Sequence, residues 1–223
     1  MAKTPRVGEV KTRLVPPLSA EDAAALSAAF IRDAAENIAC AAKVAAIDGY
    51  VAFAPPDAEA EFRRLLGPAM GLIASPGAGL GASLYDAAAD LLADGYGSVC
   101  LINSDSPTLP TAILIEAVRT LSLPGDRLIL GPAEDGGYYL IGLKRAHPRL
   151  FEDIAWSTSQ VFGQTQERAR ELALPVARLP VWYDVDDIAS LERLQSALRK
   201  TDGEIYPARH TSAVLCQLFR GSA

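Results

Sequence analysis

Short apolar runs alternate along this chain with longer segments whose apolar positions recur every three or four residues. The short runs predict buried strands, and the longer segments predict amphipathic helices. The predicted strands cover residues 50–54, 72–74, 99–102, 127–130, a segment ending at 143, and 176–179. Predicted helices lie between them at 19–46, 57–66, up to about 93, 110–121, up to about 172 and up to 198. This alternation predicts an α/β protein, a Rossmann-like three-layer α/β/α sandwich with a mostly parallel sheet.

Composition narrows the class of protein. The chain has 223 residues, half of them hydrophobic, which suits one domain over 1–199 and a C-terminal tail over 200–223 with a short helix. A net charge of −6 without a basic stripe argues against a nucleic-acid polymer as partner. Three widely spaced cysteines and two histidines disfavour disulfides and zinc. Because neither a signal peptide nor an apolar span is apparent, we expect a cytoplasmic protein with no membrane span.

Polar breaks follow four of the predicted strands, at 75–82, 103–107, 131–137 and 183–187. The carboxyl ends of parallel strands meet at one edge of a sheet, where ligands bind. Asp105 in the second break, with Asp184 and Asp186 in the fourth, could therefore share one Mg²⁺ or Mn²⁺. Taken alone, Asp105 fits a helix cap equally well, and Asp187 is a plausible N-cap.

Two loops are suited to binding phosphates. The segment 3–14 carries Lys3, Arg6, Lys11 and Arg13 around glycine and proline, a composition that can surround phosphate oxygens, although a disordered basic N-terminus is the alternative. The glycine-rich loop 76–83 precedes a helix and favours an anion only weakly, since a simple connector is also common.

Catalysis in such a site would depend on positioning and on the charge of the metal. The sequence offers neither a Ser-His-Asp set nor a Walker-type P-loop. The segment Asp135-Gly136-Gly137 is typical of a hairpin turn, but its glycines would also allow the backbone to approach a ligand closely.

Five motifs together resemble the bacterial family of GT-A-like glycosyltransferases, some of them labelled for arsenosugar biosynthesis. In order along the chain they are Lys3-Thr-Pro5-(x2)-Gly8-(x2)-Lys11-Thr-Arg-Leu14, Asn103-Ser-Asp-Ser-Pro107, Gly131-Pro-(x2)-Asp135-Gly-Gly-Tyr-Tyr-Leu-Ile-Gly142, Trp156-Ser157 and Asp184-Val-Asp186. The resemblance covers residues 2–198 and implies the nucleotide-diphospho-sugar transferase fold, a divalent metal, and transfer from a nucleotide-sugar to a small-molecule acceptor.

The resemblance also implies a role for each matching residue. Asp105 and Asp186 would hold the metal, with Asp184 in reserve, and Asp135 would face the transferred group or the acceptor. The nucleotide would contact Lys3, Gly8, Lys11, Arg13, Leu80, Gly81, Gly136 and Gly137.

The sequence departs from the family pattern in two places. The hydrophobic strand that normally precedes the Lys-x-Pro loop is missing, so the true start could lie upstream of Met1. The loop around Gly79 and Ser83 has few charged groups and also resembles that of small guanylyltransferases. The alternatives are therefore a nucleotidyltransferase that joins an NTP to a phosphorylated small acid, and a nucleotide-binding protein without activity.

Overall fold

A computed structural model of the chain describes residues 1–75, 79–199 and 205–219. Its strands are β1 (Ala2–Lys3), β2 (Tyr50–Ala54), β3 (Gly71–Ala74), β4 (Val99–Ile102), β5 (Leu128–Pro132), β6 (Tyr138–Leu143) and β7 (Val176–Arg178). Its helices are α1 (Ala20–Ala42), α2 (Glu59–Leu66), α3 (Leu80–Ala93), α4 (Thr111–Leu121), α5 (Val161–Glu171), α6 (Ile188–Leu198) and α7 (Arg209–Phe219). Each strand and helix predicted from periodicity is present in the described residues, with ends displaced by a few residues.

The strands form two hydrogen-bonded groups, ordered β1-β2-β3 and β4-β6-β5-β7. All pairings in the first group are parallel, and β5 pairs in parallel with β7. Strand β6 runs antiparallel to β4 and β5 because a tight turn joins it directly to β5. The α-ammonium of Met1 donates a hydrogen bond of 2.8 Å to the Ile102 carbonyl, which places β1 between β2 and β4.

The first strand, which the sequence analysis expected to be missing, is present over two residues. Ala2 pairs with Phe53 and Lys3 with Ala54. Two residues, one of them charged, are too few to show strand periodicity, so only the tertiary structure places this strand.

Side chains from successive strand positions enter two different cores, which confirms the three-layer sandwich. Leu128 and Leu130 of β5 belong to a buried cluster with residues of α3 and α5, whereas Ile129 belongs to a cluster with α4. Strand β2 behaves in the same way, since Val51 and Phe53 pack with residues of α1 and α2. This period of two is what a sheet covered by helices on both faces requires.

A largely apolar cavity of about 520 Å³ lies beside the short strand β1. Its walls include Tyr50 and Ala52 of β2, Leu101 of β4, Ile38 of α1 and Met1 itself. Since β1 pairs only with the end of β2, the earlier residues of β2 face this cavity in place of a strand.

Helix α7 is firmly attached to α1. Its Leu215 lies in one buried cluster with Leu26 and Phe30 of α1. The buried Asp33 of α1 accepts hydrogen bonds from the backbone N–H groups of His210 at 3.0 Å and Thr211 at 2.8 Å, and so satisfies the start of α7. Within the described part of the chain, we find no helix with the length and apolar character needed to cross a bilayer.

Candidate functional site

A cleft of about 980 Å³ opens at the carboxyl ends of β1, β2 and β4. Its walls include the loop after β1, the residues that follow β2, the start of α3, the loop after β4, and Asp186 in the segment before α6. Of the predicted site residues, the cleft is lined by Lys3, Lys11, Arg13, Leu80, Asp105 and Asp186. The strand ends thus bring together side chains that lie as much as 183 positions apart in the sequence.

Asp105 and Asp186 converge on one cation, the ammonium group of Lys11. The Lys11 Nζ atom lies 2.6 Å from Asp105 Oδ1 and 2.9 Å from Asp186 Oδ1. The Lys11 side chain is 6% exposed, whereas each aspartate is 37% exposed. Burial disfavours the charged form of Lys11, but the two carboxylates outweigh this effect, so the pKa of Lys11 is raised.

Backbone contacts hold the two acidic loops together. The Val185 N–H donates to the Asp105 carbonyl at 2.8 Å, and Lys11 Nζ donates to the Val185 carbonyl at 2.8 Å. Asp187 then starts α6 with a capping box that includes Ser190, as its predicted role as N-cap requires. The position of Asp186 is therefore set by the strand end on one side and by a helix start on the other.

Asp184 occupies a different environment from the two aspartates on Lys11. Its Oδ1 atom accepts hydrogen bonds from Asn103 Nδ2 at 2.7 Å and from Ser106 Oγ at 2.6 Å. Burial raises the pKa of Asp184 to about 6, although these two donors act in the opposite direction. Asp184 thus joins the loop after β4 to the acidic segment before α6.

The donor set fits a hard divalent cation. Two carboxylate oxygens already face one positively charged atom at hydrogen-bond distance, and carboxylates are the ligands that Mg²⁺ and Mn²⁺ prefer. Asp184 is the less suitable ligand, since one of its oxygens is occupied by two donors.

The side of the cleft around these acids is suited to an anion. Arg13 is 68% exposed and donates to Asp186 Oδ2 at 2.7 Å, and Lys3 Nζ donates to the Glu9 carbonyl at 2.8 Å. The cleft is also lined by Gly79 and Leu80 at the start of α3, where the N–H groups of a first helical turn and the helix dipole favour negative charge. Arg6, in contrast, is engaged by Glu61 at 2.6 Å.

The turn between β5 and β6 carries Asp135, which is exposed. Its Oδ1 atom accepts the Gly137 N–H at 2.8 Å, and its charge lies close enough to Asp184 to contribute to the raised pKa there. Gly136 has φ +90°, and a Cβ atom at this position would overlap the backbone of Ser159.

Packing within the protein also explains why residue 81 is a glycine. A Cβ atom at Gly81 would lie 2.6 Å from the Trp156 indole nitrogen. Gly8 has φ +79° and lies in the loop after β1, but it does not line the cleft. Residue 77 of the glycine-rich loop lies outside the described residues.

Sequence reasoning did not identify the residues that support the charged groups. Asn103 and Ser106 belong to a quoted motif, yet nothing local shows that they hold Asp184. The Phe30 ring lies 5.3 Å from Lys11 Nζ, and Ser75 and Ser83 share a hydrogen bond of 2.6 Å at the cleft wall. Only the positions of Ser75, Asn103 and Ser106 after strand ends could have signalled a role, whereas Ser83 lies in the first turn of α3.

A second group of potential ligands, Asp33, Glu36 and His210, lies where α7 packs on α1. Its atoms already serve this packing: both Asp33 oxygens accept backbone N–H groups, and Glu36 pairs with His210 at 3.1 Å and Tyr206 at 3.1 Å. These contacts account for the cluster without an ion.

Comparison with known proteins agrees with the fold. The chain is similar over 97% of its length to a protein from Desulfovibrio desulfuricans G20, provisionally named a nucleotide-diphospho-sugar transferase, whose crystal structure is matched over 94% of that chain at 31% identity and a TM-score of 0.83. A search of curated proteins finds no match. The family described as "Uncharacterized protein conserved in bacteria (DUF2064)" matches residues 37–158. The chain has the nucleotide-diphospho-sugar transferase fold and belongs to the DUF2064 family.

Proposed function

We propose that the protein is a metal-dependent glycosyltransferase that uses a nucleotide-sugar as donor and a small molecule as acceptor. The observation that carries this proposal is the convergence of Asp105 and Asp186 on one cation, inside a cleft that the basic side chains of Lys3 and Arg13 also line. A diphosphate needs this combination, because its oxygens bind a shared metal and basic side chains at the same time.

Each group would have a separate task. Asp105 and Asp186 would hold Mg²⁺ or Mn²⁺, which when bound neutralises the charge that develops on the leaving nucleoside diphosphate. Arg13, Lys3 and the start of α3 would bind the remaining phosphate oxygens. Asp135, exposed on its turn, would accept a hydrogen bond from the acceptor hydroxyl and take its proton.

The comparisons support a donor of this kind. The relative from Desulfovibrio desulfuricans G20 carries the name of a nucleotide-diphospho-sugar transferase, at 31% identity over nearly the whole chain. Because part of the resembling family is labelled for arsenosugar biosynthesis, an arsenosugar precursor belongs among the acceptors to be tried.

A nucleotidyltransferase is the second candidate, favoured by the basic side chains Lys3, Lys11 and Arg13 along the described cleft. A phosphorylated small acid would attack the α-phosphorus of an NTP, and pyrophosphate would leave. Three cations match the charge of a triphosphate better than that of a diphosphate.

Thermal-shift measurements with and without Mn²⁺ test the choice of donor. For a glycosyltransferase, UDP- or GDP-sugars raise the Tm in the presence of Mn²⁺ by more than GTP or CTP do. A stronger response to the triphosphates, with release of pyrophosphate in the presence of phospho-acids, would instead support the nucleotidyltransferase.

Activity is then compared between Asp105→Asn and Asp90→Asn. Asp90 is exposed on α3 outside the cleft and serves as the matched control. We expect Asp105→Asn to lower kcat/KM by at least about a hundredfold, in the range found when one charge-stabilising group is removed, and Asp90→Asn to leave it unchanged. Equal activity of both variants would refute the assignment of Asp105, and no turnover by the wild type with any donor would favour the binding protein.

A further inference from the structure

The two acids of the candidate metal site are already paired with two cations of the chain itself. Asp105 and Asp186 contribute two negative charges, and Lys11 and Arg13 contribute two positive charges within 2.9 Å of them. A divalent ion added to these four groups would leave an excess of positive charge at a partly enclosed position, which the nearby Asp184 carboxylate lowers but does not cancel. Such an excess is costly unless an anion enters with the metal.

Lys11 also occupies the place that the ion would need. The same Oδ1 atoms that face each other across the site are the ones that contact Lys11 Nζ, at 2.6 and 2.9 Å. Mg²⁺ binds carboxylate oxygens at about 2.0–2.1 Å, so the ammonium and the ion cannot lie between these oxygens together.

The surroundings hold Lys11 in this position. Its ammonium donates to the Val185 carbonyl, lies over the Phe30 ring, and belongs to a side chain that is 6% exposed. The backbone of Lys11 has φ +48°, an uncommon conformation for a residue other than glycine, which aims the side chain from the loop toward the acids. Displacement of Lys11 therefore requires a new partner for its charge.

We infer that Lys11 is an internal counter-cation that makes metal binding at Asp105 and Asp186 conditional on phosphate binding. The inference rests on the proposed function, since the phosphates of the nucleotide are what draw the ammonium out of the site. Lys11 would exchange its two carboxylates for phosphate oxygens, which would leave Asp105 and Asp186 free to hold a divalent ion.

Metal and nucleotide then bind cooperatively. By linkage, the factor by which a nucleoside diphosphate tightens metal binding equals the factor by which the metal tightens nucleotide binding. Loss of the Lys11 charge removes the competition for the carboxylates, so the free protein would bind the metal directly and the coupling factor would fall.

The test measures Mn²⁺ binding to the whole chain by electron paramagnetic resonance, with no nucleotide present. We expect Lys11→Met to bind Mn²⁺ at least about tenfold more tightly than the wild type, because one unit of opposing charge is removed at contact distance. Lys43→Met, which removes an exposed lysine at the end of α1, is the control and should resemble the wild type. Lys11→Gln is a second variant for the case that methionine prevents folding, since glutamine retains a hydrogen-bond donor without the charge.

The second arm repeats the titration with UDP and with GDP, corrected for Mn²⁺ held by the free nucleotide. At least one of them should tighten Mn²⁺ binding to the wild type by a larger factor than to Lys11→Met. Asp105→Asn in the Lys11→Met background should abolish binding and so locate the ion.

The possible failures are distinguishable. Equal Mn²⁺ binding by the wild type and Lys11→Met, abolished in both proteins when Asp105→Asn is added, would support the metal site and refute the role of Lys11. If none of the proteins binds Mn²⁺, alone or with UDP or GDP, the metal-dependent function itself fails.

Discussion

Asp33 attaches the C-terminal helix α7 to α1. The loss of unfolding free energy on replacing Asp33 can be worked out from the structure. The Asp33 side chain is fully buried, and its two oxygens accept the backbone N–H groups of His210 at 3.0 Å and Thr211 at 2.8 Å. These N–H groups belong to the first turn of α7, where they have no partner within the helix. Asp33 therefore acts as an N-cap supplied by a different helix.

We expect Asp33→Ala to lower the free energy of unfolding by about 2–4 kcal/mol. Loss of a helix cap costs about 0.5–2 kcal/mol, and each buried donor left without an acceptor costs about 1–3 kcal/mol, less where water reaches it. Asp33→Asn retains one acceptor oxygen and should lose roughly half as much.

The pH dependence gives a second measure of the same contact. Burial raises the pKa of Asp33 from its ordinary 3.8, against the opposing effect of the hydrogen bonds from Thr211 and His210. The folded chain thus holds this proton to a higher pH than the unfolded chain. The stability of the wild type relative to Asp33→Asn should therefore fall as the pH rises from 3.8 through the folded pKa, and stay constant above it.

Urea unfolding of the three proteins at several pH values, with hydrogen exchange of the α7 amides, tests this reasoning. Exchange in α7 should accelerate in Asp33→Ala more than exchange in β5, which lies in the sheet. If Asp33→Ala lowers the free energy of unfolding by less than about 0.5 kcal/mol, the range typical of a surface substitution, the capping role of Asp33 is refuted. Unchanged protection of the α7 amides against hydrogen exchange would refute it as well.

Three further predictions concern other parts of the molecule. Gly136→Ala should lower the free energy of unfolding by about 2 kcal/mol or more, since φ at this position is positive and a Cβ atom would overlap the backbone. The control Gly97→Ala, with open space around the new methyl group, should change the free energy measured by urea unfolding by no more than about 0.5 kcal/mol. Four apolar residues fused before Met1 should pair with β2, fill the 520 Å³ cavity and raise the Tm, whereas four polar residues should not. Asn103→Ala removes a donor to the Asp184 carboxylate, so the pKa of Asp184 should rise above its value of about 6 in a carbon-13 NMR titration; an unchanged or lower pKa would contradict this contact.

Much of the fold could be predicted because its signals are local. Val99–Ile102 is a run of apolar residues closed by a polar turn, and Ser19 and Asp187 lie at the helix starts that their side chains cap. The strand ends also indicated where the polar groups would collect, since parallel strands direct their ends to one edge. Such patterns depend on residues within a few positions of one another.

The arrangement inside the site was beyond local patterns. Lys11 was expected to face phosphates, and the structure shows it between Asp105 and Asp186, the latter 175 positions away. Asp184 and Asp186 look equivalent in the sequence, yet Asp184 is held by two hydrogen-bond donors and Asp186 faces the cleft. The alternation of side chains along an extended segment does not show which residues from remote segments contact each of its faces.

The sequence by itself determined the order of strands and helices, the polar breaks and the residue types available for chemistry, because period and turn composition are properties of short segments. Only the tertiary structure decided which charges meet. It placed β1 beside β2, α7 on Asp33, and one lysine between two aspartates. Those pairings depend on distances between atoms from remote segments, and the packing of the sheet between its helices sets these distances.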